Sequence, residues 1–277
     1  MRFLDFWAER RGDFDAVFLD IDGTVIDRRR MLPNADTMLE TFRGDNTPFL
    51  FLTNDANHST IEKAAIVNYT GLNISPDDIV SSGDVLKTWA ERHGAVGKKF
   101  FMMGVLGRPC YAEKSGMTTT TDPAELEECA GVLVGEDDYD WYNVFFEVFN
   151  FFLRHPDRPL ISPNPDICWA GWKRGGLGLG AGAVAEAMQL WLSHQKLDVK
   201  PVFLGKPHTH IFDFAVERLN LTDRSRILML GDSLRGDMAG ANAARVRSGL
   251  LLTGITNARA AARAAEAERP EFVFSAI

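Results

Sequence analysis

An α/β fold, a doubly wound parallel sheet interrupted by an inserted α/β segment, is predicted by three features of the 277-residue chain. Its apolar runs are nearly continuous rather than alternating, which marks strands buried on both faces. Helical patterns separate those runs, the alternation that builds a parallel sheet. Polar and acidic residues gather where the runs end, at the edge where open α/β sheets place their sites.

Taken in order, "DAVFLDID" from Asp15 and "TPFLFLTND" from Thr47 read as the first two buried strands, with a helix from Ser59 to about Tyr69. "KKFFMMG", "CAGVLVGED" and "RPLISPNP" read as three more, with "DWYNVFFEVFNFFLRH" a helix among them. The aromatics of that helix are expected to face a core rather than a partner. "THIFDFAVERLN" from Thr209 is a helix, "SRILMLGDS" a strand, "SLRGDMAGANAARV" a helix and "SGLLLTG" a strand. The stretch from Asn257 to Arg269 reads as a solvated surface helix. Because polar strand ends lie on both sides of the middle block, residues 83–199 read as a domain inserted into a core made of 1–82 and 200–277.

Composition narrows the function. Hydrophobic residues make up 45% and charged ones 25%, so the chain folds into a packed globule. A formal net charge of −8 argues against nucleic-acid binding, which wants a basic face. Three cysteines without a CxxC pair fit a reduced interior, and the charged start is no secretory signal. The greasiest helical stretch is too short to span a bilayer. A cytoplasmic protein with no membrane partner is expected.

Four strand-end constellations carry the chemistry. In Asp20-Ile21-Asp22-Gly23-Thr24, carboxylates two apart on a strand point into one space, where like charges repel unless chemistry or a cation requires them. Thr53-Asn54 offers a hydroxyl and a backbone N–H to phosphate oxygens. Lys206 lies in "LGKP", and "LMLGDSLRGD" carries Asp232 and Asp237. Each alone reads as a turn, a cap or a surface charge.

Together, in this order, they resemble the four motifs of the haloacid dehalogenase superfamily. With "SPNPD" (Ser162–Asp166) and "GAGAVAEAM" from Gly180, the inserted block resembles the type II cap of the NagD-like branch. The resemblance implies a Rossmann-like core and a phosphatase of small phosphorylated metabolites such as sugar phosphates, nucleotides or phosphoglycolate. It implies Asp20 as nucleophile, Asp22 as general acid–base, and Lys206 as the charge-compensating cation. Mg2+ is implied on Asp20, the Asp22 carbonyl and Asp232, with Asp237 acting through water or Lys206. Thr53 and the Asn54 N–H complete the phosphate cradle. Members of the branch often pair through their caps, which makes a homodimer an expectation of kinship alone. A phosphotransferase or mutase, and a catalytically idle phosphometabolite-binding protein, are the alternative readings.

The sequence departs from that branch at Asp55-Ala56 and at "CWAGWKRGG". Asp55 either meets a cationic or hydroxylated substrate group or caps the following helix. Trp169, Trp172, Lys173 and Arg174 either stack on a substrate ring and hold an anion or pack the inserted domain. Trp172 and Arg174 are taken as candidate substrate contacts. "GLGLGA" from Gly176 has the letters of a dinucleotide fingerprint, with Asp198 at the ribose-acid position, but no strand is seen to feed it. His208 and His210 have metal-pair spacing and no third ligand in view.

Overall fold

The computed structural model describes residues 1–136, 140–172 and 176–277. They form two compact units. One comprises Met1–Thr53, Thr60–Val80 and Lys206–Ile277, the other Asn54–Ser59 and Ser81–Gly205.

The first unit is built on a six-stranded sheet. Its strand order is Phe272–Phe274, Arg247–Leu251, Ile227–Gly231, Ala16–Leu19, Phe49–Thr53, Ile79–Ser81. The first five strands pair in parallel. Ala16–Leu19 and Ile227–Gly231 are buried at every position. That is why they read as unbroken apolar runs: helices cover both faces, so neither face needs polar residues. Helix Phe3–Arg10, not marked in the sequence reading, brings Phe3, Phe6 and Trp7 into the core, where Trp7 meets Phe42 edge-on. A short hairpin, Ile26–Asp27 with Arg30–Met31, follows directly after the first strand and its turn.

The second unit carries a five-stranded sheet ordered Val202–Phe203, Leu160–Ser162, Val132–Val134, Lys99–Met103, Thr118–Thr120, all parallel. Helix Trp141–Arg154 buries Phe145, Val148, Phe151 and Phe152 beside Val184, Ala185 and Met188 of helix Ala181–His194. The aromatic stripe is therefore core on one side. Phe146, on the same helix, stays exposed.

Two local expectations change. The stretch Asn257–Arg269 holds only a four-residue helix, Ala258–Ala261, and a 3-10 turn, Glu266–Glu268. Neither buries a residue, and a helix without a packed face is marginal at that length. "CWAGW" and "GLGL" are both strands, paired as an antiparallel hairpin. A Cβ at Gly178 would sit 2.3 Å from the Trp169 ring, so this glycine serves side-chain packing across the hairpin. The glycine stretch is thus no phosphate-binding loop. The fold class is as expected: α/β, with a Rossmann-like parallel core.

Candidate active site

Four of the candidate residues converge at the carboxyl end of the first unit's sheet. Asp20 follows the strand Ala16–Leu19, and its N–H donates to Leu230 O at 2.8 Å, continuing the ladder one step beyond the strand. Lys206 is 3% exposed. Its Nζ donates to Asp20 Oδ1 at 2.6 Å, Asp237 Oδ1 at 2.7 Å and Leu52 O at 2.7 Å. All three ammonium protons are thereby placed. Carboxylate oxygens of Asp20, Asp232 and Asp237 all lie within 4.8 Å of one another. Such an all-oxygen donor set suits a hard divalent cation.

Glycines make this crowding sterically feasible. A Cβ at Gly254 would lie 1.8 Å from Asp232 Oδ2, and one at Gly231 would lie 2.3 Å from Asp237 Cγ. Gly23 needs its freedom twice. Its φ is +84°, and a Cβ there would lie 2.2 Å from Asp232 Oδ2. Its carbonyl is held by the Thr253 hydroxyl at 2.7 Å. Asp232 Oδ2 accepts the Ile255 N–H at 2.6 Å. Asp237 sits in a single π-helical turn, Leu234–Met238, and its second oxygen accepts the Ser233 N–H at 3.1 Å. Single π turns recur at functional sites.

The electrostatics follow from burial. Desolvation drives the Asp20 carboxyl well above the ordinary aspartate range; Lys206 pulls it back, while Asp237 and Asp232 push it further. Burial likewise raises Asp232, with Asp237 adding to it, to about 7; the Ile255 N–H and Lys206 oppose the shift. For Lys206 burial works against the charged form, but Asp20 and Asp237 outweigh it and hold its pKa above the ordinary lysine range. The cluster is an acid-rich site with one fixed cation, and it favours whatever brings more positive charge.

Asp22 is not in that cluster. Its side chain is 60% exposed and its Oδ2 accepts from Lys63 Nζ at 2.8 Å. Thr53 is buried at the end of Phe49–Thr53. Asn54 opens the second unit, its Nδ2 donating to Asp166 Oδ1 at 3.0 Å. Asp55 turns back on its own chain: its Oδ1 accepts the N–H groups of Asn57 and His58, each at 3.1 Å, and its Oδ2 lies 2.9 Å from His58 Nδ1. Trp172 ends the strand Cys168–Trp172, and its side chain lies outside the description, as does all of Arg174. His208 and His210 belong to no group of three or more ligating side chains among the described residues.

Sequence reasoning missed Lys63, His58 and the Gly254-Ile255 turn. Lys63 left one trace, a lysine on the helical stripe of Thr60, Ala64 and Val67. His58 left another, standing three residues after Asp55. Nothing in "LLTG" points to Asp232, which its turn reaches only in the folded chain.

A parallel-sheet edge with this buried Asp–Lys–Asp cluster fits the motif order that resembles the haloacid dehalogenase superfamily, and comparison with known proteins shows the family. A family of haloacid dehalogenase-like hydrolases matches residues 17–118, and a second, HAD-hydrolase-like family matches 203–277. The chain belongs to the haloacid dehalogenase superfamily, and it is a phosphoric monoester hydrolase of that type. It is 26% identical to chronophin of Rattus norvegicus over 251 residues, 89% of this chain and 79% of that one. It is 28% identical to the 5'-nucleotidase YutF of Bacillus subtilis over 251 residues, 88% and 89% of the two chains. The crystal structure of a glycerol phosphate phosphatase from Mycobacterium tuberculosis in complex with magnesium matches with a TM-score of 0.81 at 25% identity. That match covers 95% of this chain and 75% of the other.

Proposed function

We propose that this enzyme is a Mg2+-dependent phosphatase of small phosphorylated metabolites that works through an aspartyl-phosphate on Asp20. The observation that carries the reading is the buried Lys206 fixed between Asp20 and Asp237, with Asp232 beside them. A phosphoryl group needs a nucleophile flanked by compensating positive charge, and this cluster supplies the first and invites the second. The calcium and magnesium complexes of the glycerol phosphate phosphatase support a hard divalent cation here, of which Mg2+ is our choice.

In this reading Asp20, Asp232 and the Asp22 carbonyl hold the cation, and Asp237 orients Lys206. Bound there, Mg2+ supplies charge neutralisation at the phosphoryl oxygens. An Asp20 oxygen bonds phosphorus as the ester P–O bond breaks, and Asp22 gives its proton to the leaving oxygen. Water then attacks phosphorus, Asp22 takes its proton, and inorganic phosphate leaves with the Asp20 carboxylate restored. Lys206 holds Asp20 in place and offsets charge throughout. Thr53 and the Asn54 N–H are assigned to the phosphoryl oxygens, and the unit spanning Ser81–Gly205 to substrate choice, with Trp172 and Arg174 its candidate contacts.

The test is phosphate release by the purified protein from sugar phosphates, nucleotides, phosphoglycolate, glycerol phosphate and 4-nitrophenyl phosphate, with Mg2+ and without an acceptor. Turnover is expected with Mg2+, none in chelator, and none by Asp20→Asn. Full activity in chelator, or an active Asp20→Asn enzyme with deamidation excluded, refutes the mechanism.

A further inference from the structure

Helix Thr60–Asn68 turns Thr60, Lys63, Ala64 and Val67 inward. Three of these suit a core-facing stripe. Lys63 does not: the residue is 6% exposed, and its ammonium donates to Asp22 Oδ2 at 2.8 Å. Taking an ammonium out of water costs more than burying a methionine of similar length, so packing alone does not call for lysine here. The Asp22 side chain, by contrast, is 60% exposed. It projects from the turn that Gly23 closes, and a carboxylate in water at such a turn samples several rotamers. A cation on a buried stem has little freedom to follow it, so the charge-assisted bond selects one of those rotamers.

We propose that Lys63 is a positioning residue that holds Asp22 by Oδ2 and leaves Oδ1 to carry the transferred proton. The inference rests on Asp22 being the general acid–base of the reading above. Lys63 does not touch the reacting atoms in this role. It removes the search that a free Asp22 side chain would make, and proton transfer is sensitive to that placement. The site so described then has two lysines with separate tasks. Lys206 is tied to the nucleophile Asp20, and Lys63 to the acid Asp22.

The test is the dependence on leaving group. Nitrophenolate departs as an anion and needs no proton, whereas an alkoxide does. For wild type, Asp22→Asn, Lys63→Met, Lys63→Arg and the double variant Asp22→Asn/Lys63→Met, kcat/KM is measured on 4-nitrophenyl phosphate and glycerol phosphate. Asp22→Asn is expected to lose about a hundredfold more on glycerol phosphate than on the nitrophenyl ester, the scale of a general acid. Lys63→Met should lose about tenfold more on glycerol phosphate, Lys63→Arg should recover most of it, and the double variant should be no worse than Asp22→Asn, as for any group acting through another. Equal losses of Lys63→Met on both esters, or no loss, overturn the proposal while a steep Asp22→Asn profile leaves the mechanism standing. An even Asp22→Asn profile removes the acid role and this inference with it. If Lys63→Met does not fold, the same ratio is read on Lys63→Gln, which keeps buried polarity without the charge.

Discussion

Replacing Lys206 by methionine removes the one ammonium shared by Asp20 and Asp237 and leaves them facing each other and Asp232. Removing one partner of a buried ion pair costs about 3–5 kcal/mol, because the other charge stays buried and unpaired. The Leu52 carbonyl also loses its donor, worth about 1 kcal/mol more. Part of this is recovered when a carboxyl takes up a proton, at about 1.4 kcal/mol per pH unit. The expected loss in metal-free protein is therefore about 4 kcal/mol at pH 7.5 and up to about 3 kcal/mol less at pH 5.5, two pH units by the same conversion. Urea unfolding followed by circular dichroism in chelator measures it, read on the transition of the first unit. Asp237→Asn supplies the control, since a neutral amide of the same shape needs no ammonium. In a double-mutant cycle the Lys206→Met/Asp237→Asn protein should be more stable than the sum of the single changes by at least about 1 kcal/mol. Additivity within about 0.5 kcal/mol, the scatter of independent sites, refutes the claim that charge pairing holds this cluster together.

Three further outcomes are expected. Asp232 has a folded-state pKa near 7, raised by burial and Asp237, so its contribution to stability is full below the unfolded aspartate value and is lost as pH rises toward 7; melting temperature in chelator should fall over that window, and saturating Mg2+ should flatten the fall. Gly254→Ala puts a Cβ where Asp232 Oδ2 lies, so the Mg2+ concentration for half-maximal activity should rise at least about tenfold, the scale of disturbed metal support; an unchanged value removes Asp232 from the metal set. Asp55→Ala breaks the bonds to Asn57 and His58 and should cost about 0.5–2 kcal/mol, like the loss of a cap, with substrate ranking unmoved; a reordered ranking assigns Asp55 to the substrate.

Parallel strands announce themselves, because burial on both faces forces runs such as Val17–Leu19 and Leu228–Leu230 to be apolar throughout. The family was legible for a related reason: Asp20, Thr53, Lys206 and Asp232 stand at strand ends in an order that chance rarely produces. What stayed hidden depends on packing between distant segments. Lys63 carries the same letter as any surface lysine, and only the fold turns it inward. The hairpin of Cys168–Trp172 and Gly176–Leu179 was obscured because glycine has low strand propensity; the Trp169 ring lying over Gly178 accounts for it. The Asn257–Arg269 stretch has good helix formers, but propensity alone does not sustain a helix that buries nothing.

The first unit is assembled from three separated pieces of chain, and this sets an order of events during synthesis. Ala16–Leu19 pairs with Ile227–Leu230, and Lys206 reaches Asp20 across 186 residues. Most of the second unit, Ser81–Gly205, is contiguous and is synthesised before Ile227 exists as peptide. At about 5–20 residues per second, the nascent first strand waits on the order of ten seconds or more for its partner. Phe49–Thr53 is available early as the other neighbour, so during that time Val17, Phe18 and Leu19 present one unpaired apolar edge, the kind chaperones hold and aggregates recruit. The carboxylate cluster does not exist in that interval either, so no cation can help the chain fold until Asp232 and Asp237 have been made. The carboxylate cluster and the centre of the sheet therefore arrive together and late, and the strands Arg247–Leu251 and Phe272–Phe274 later still.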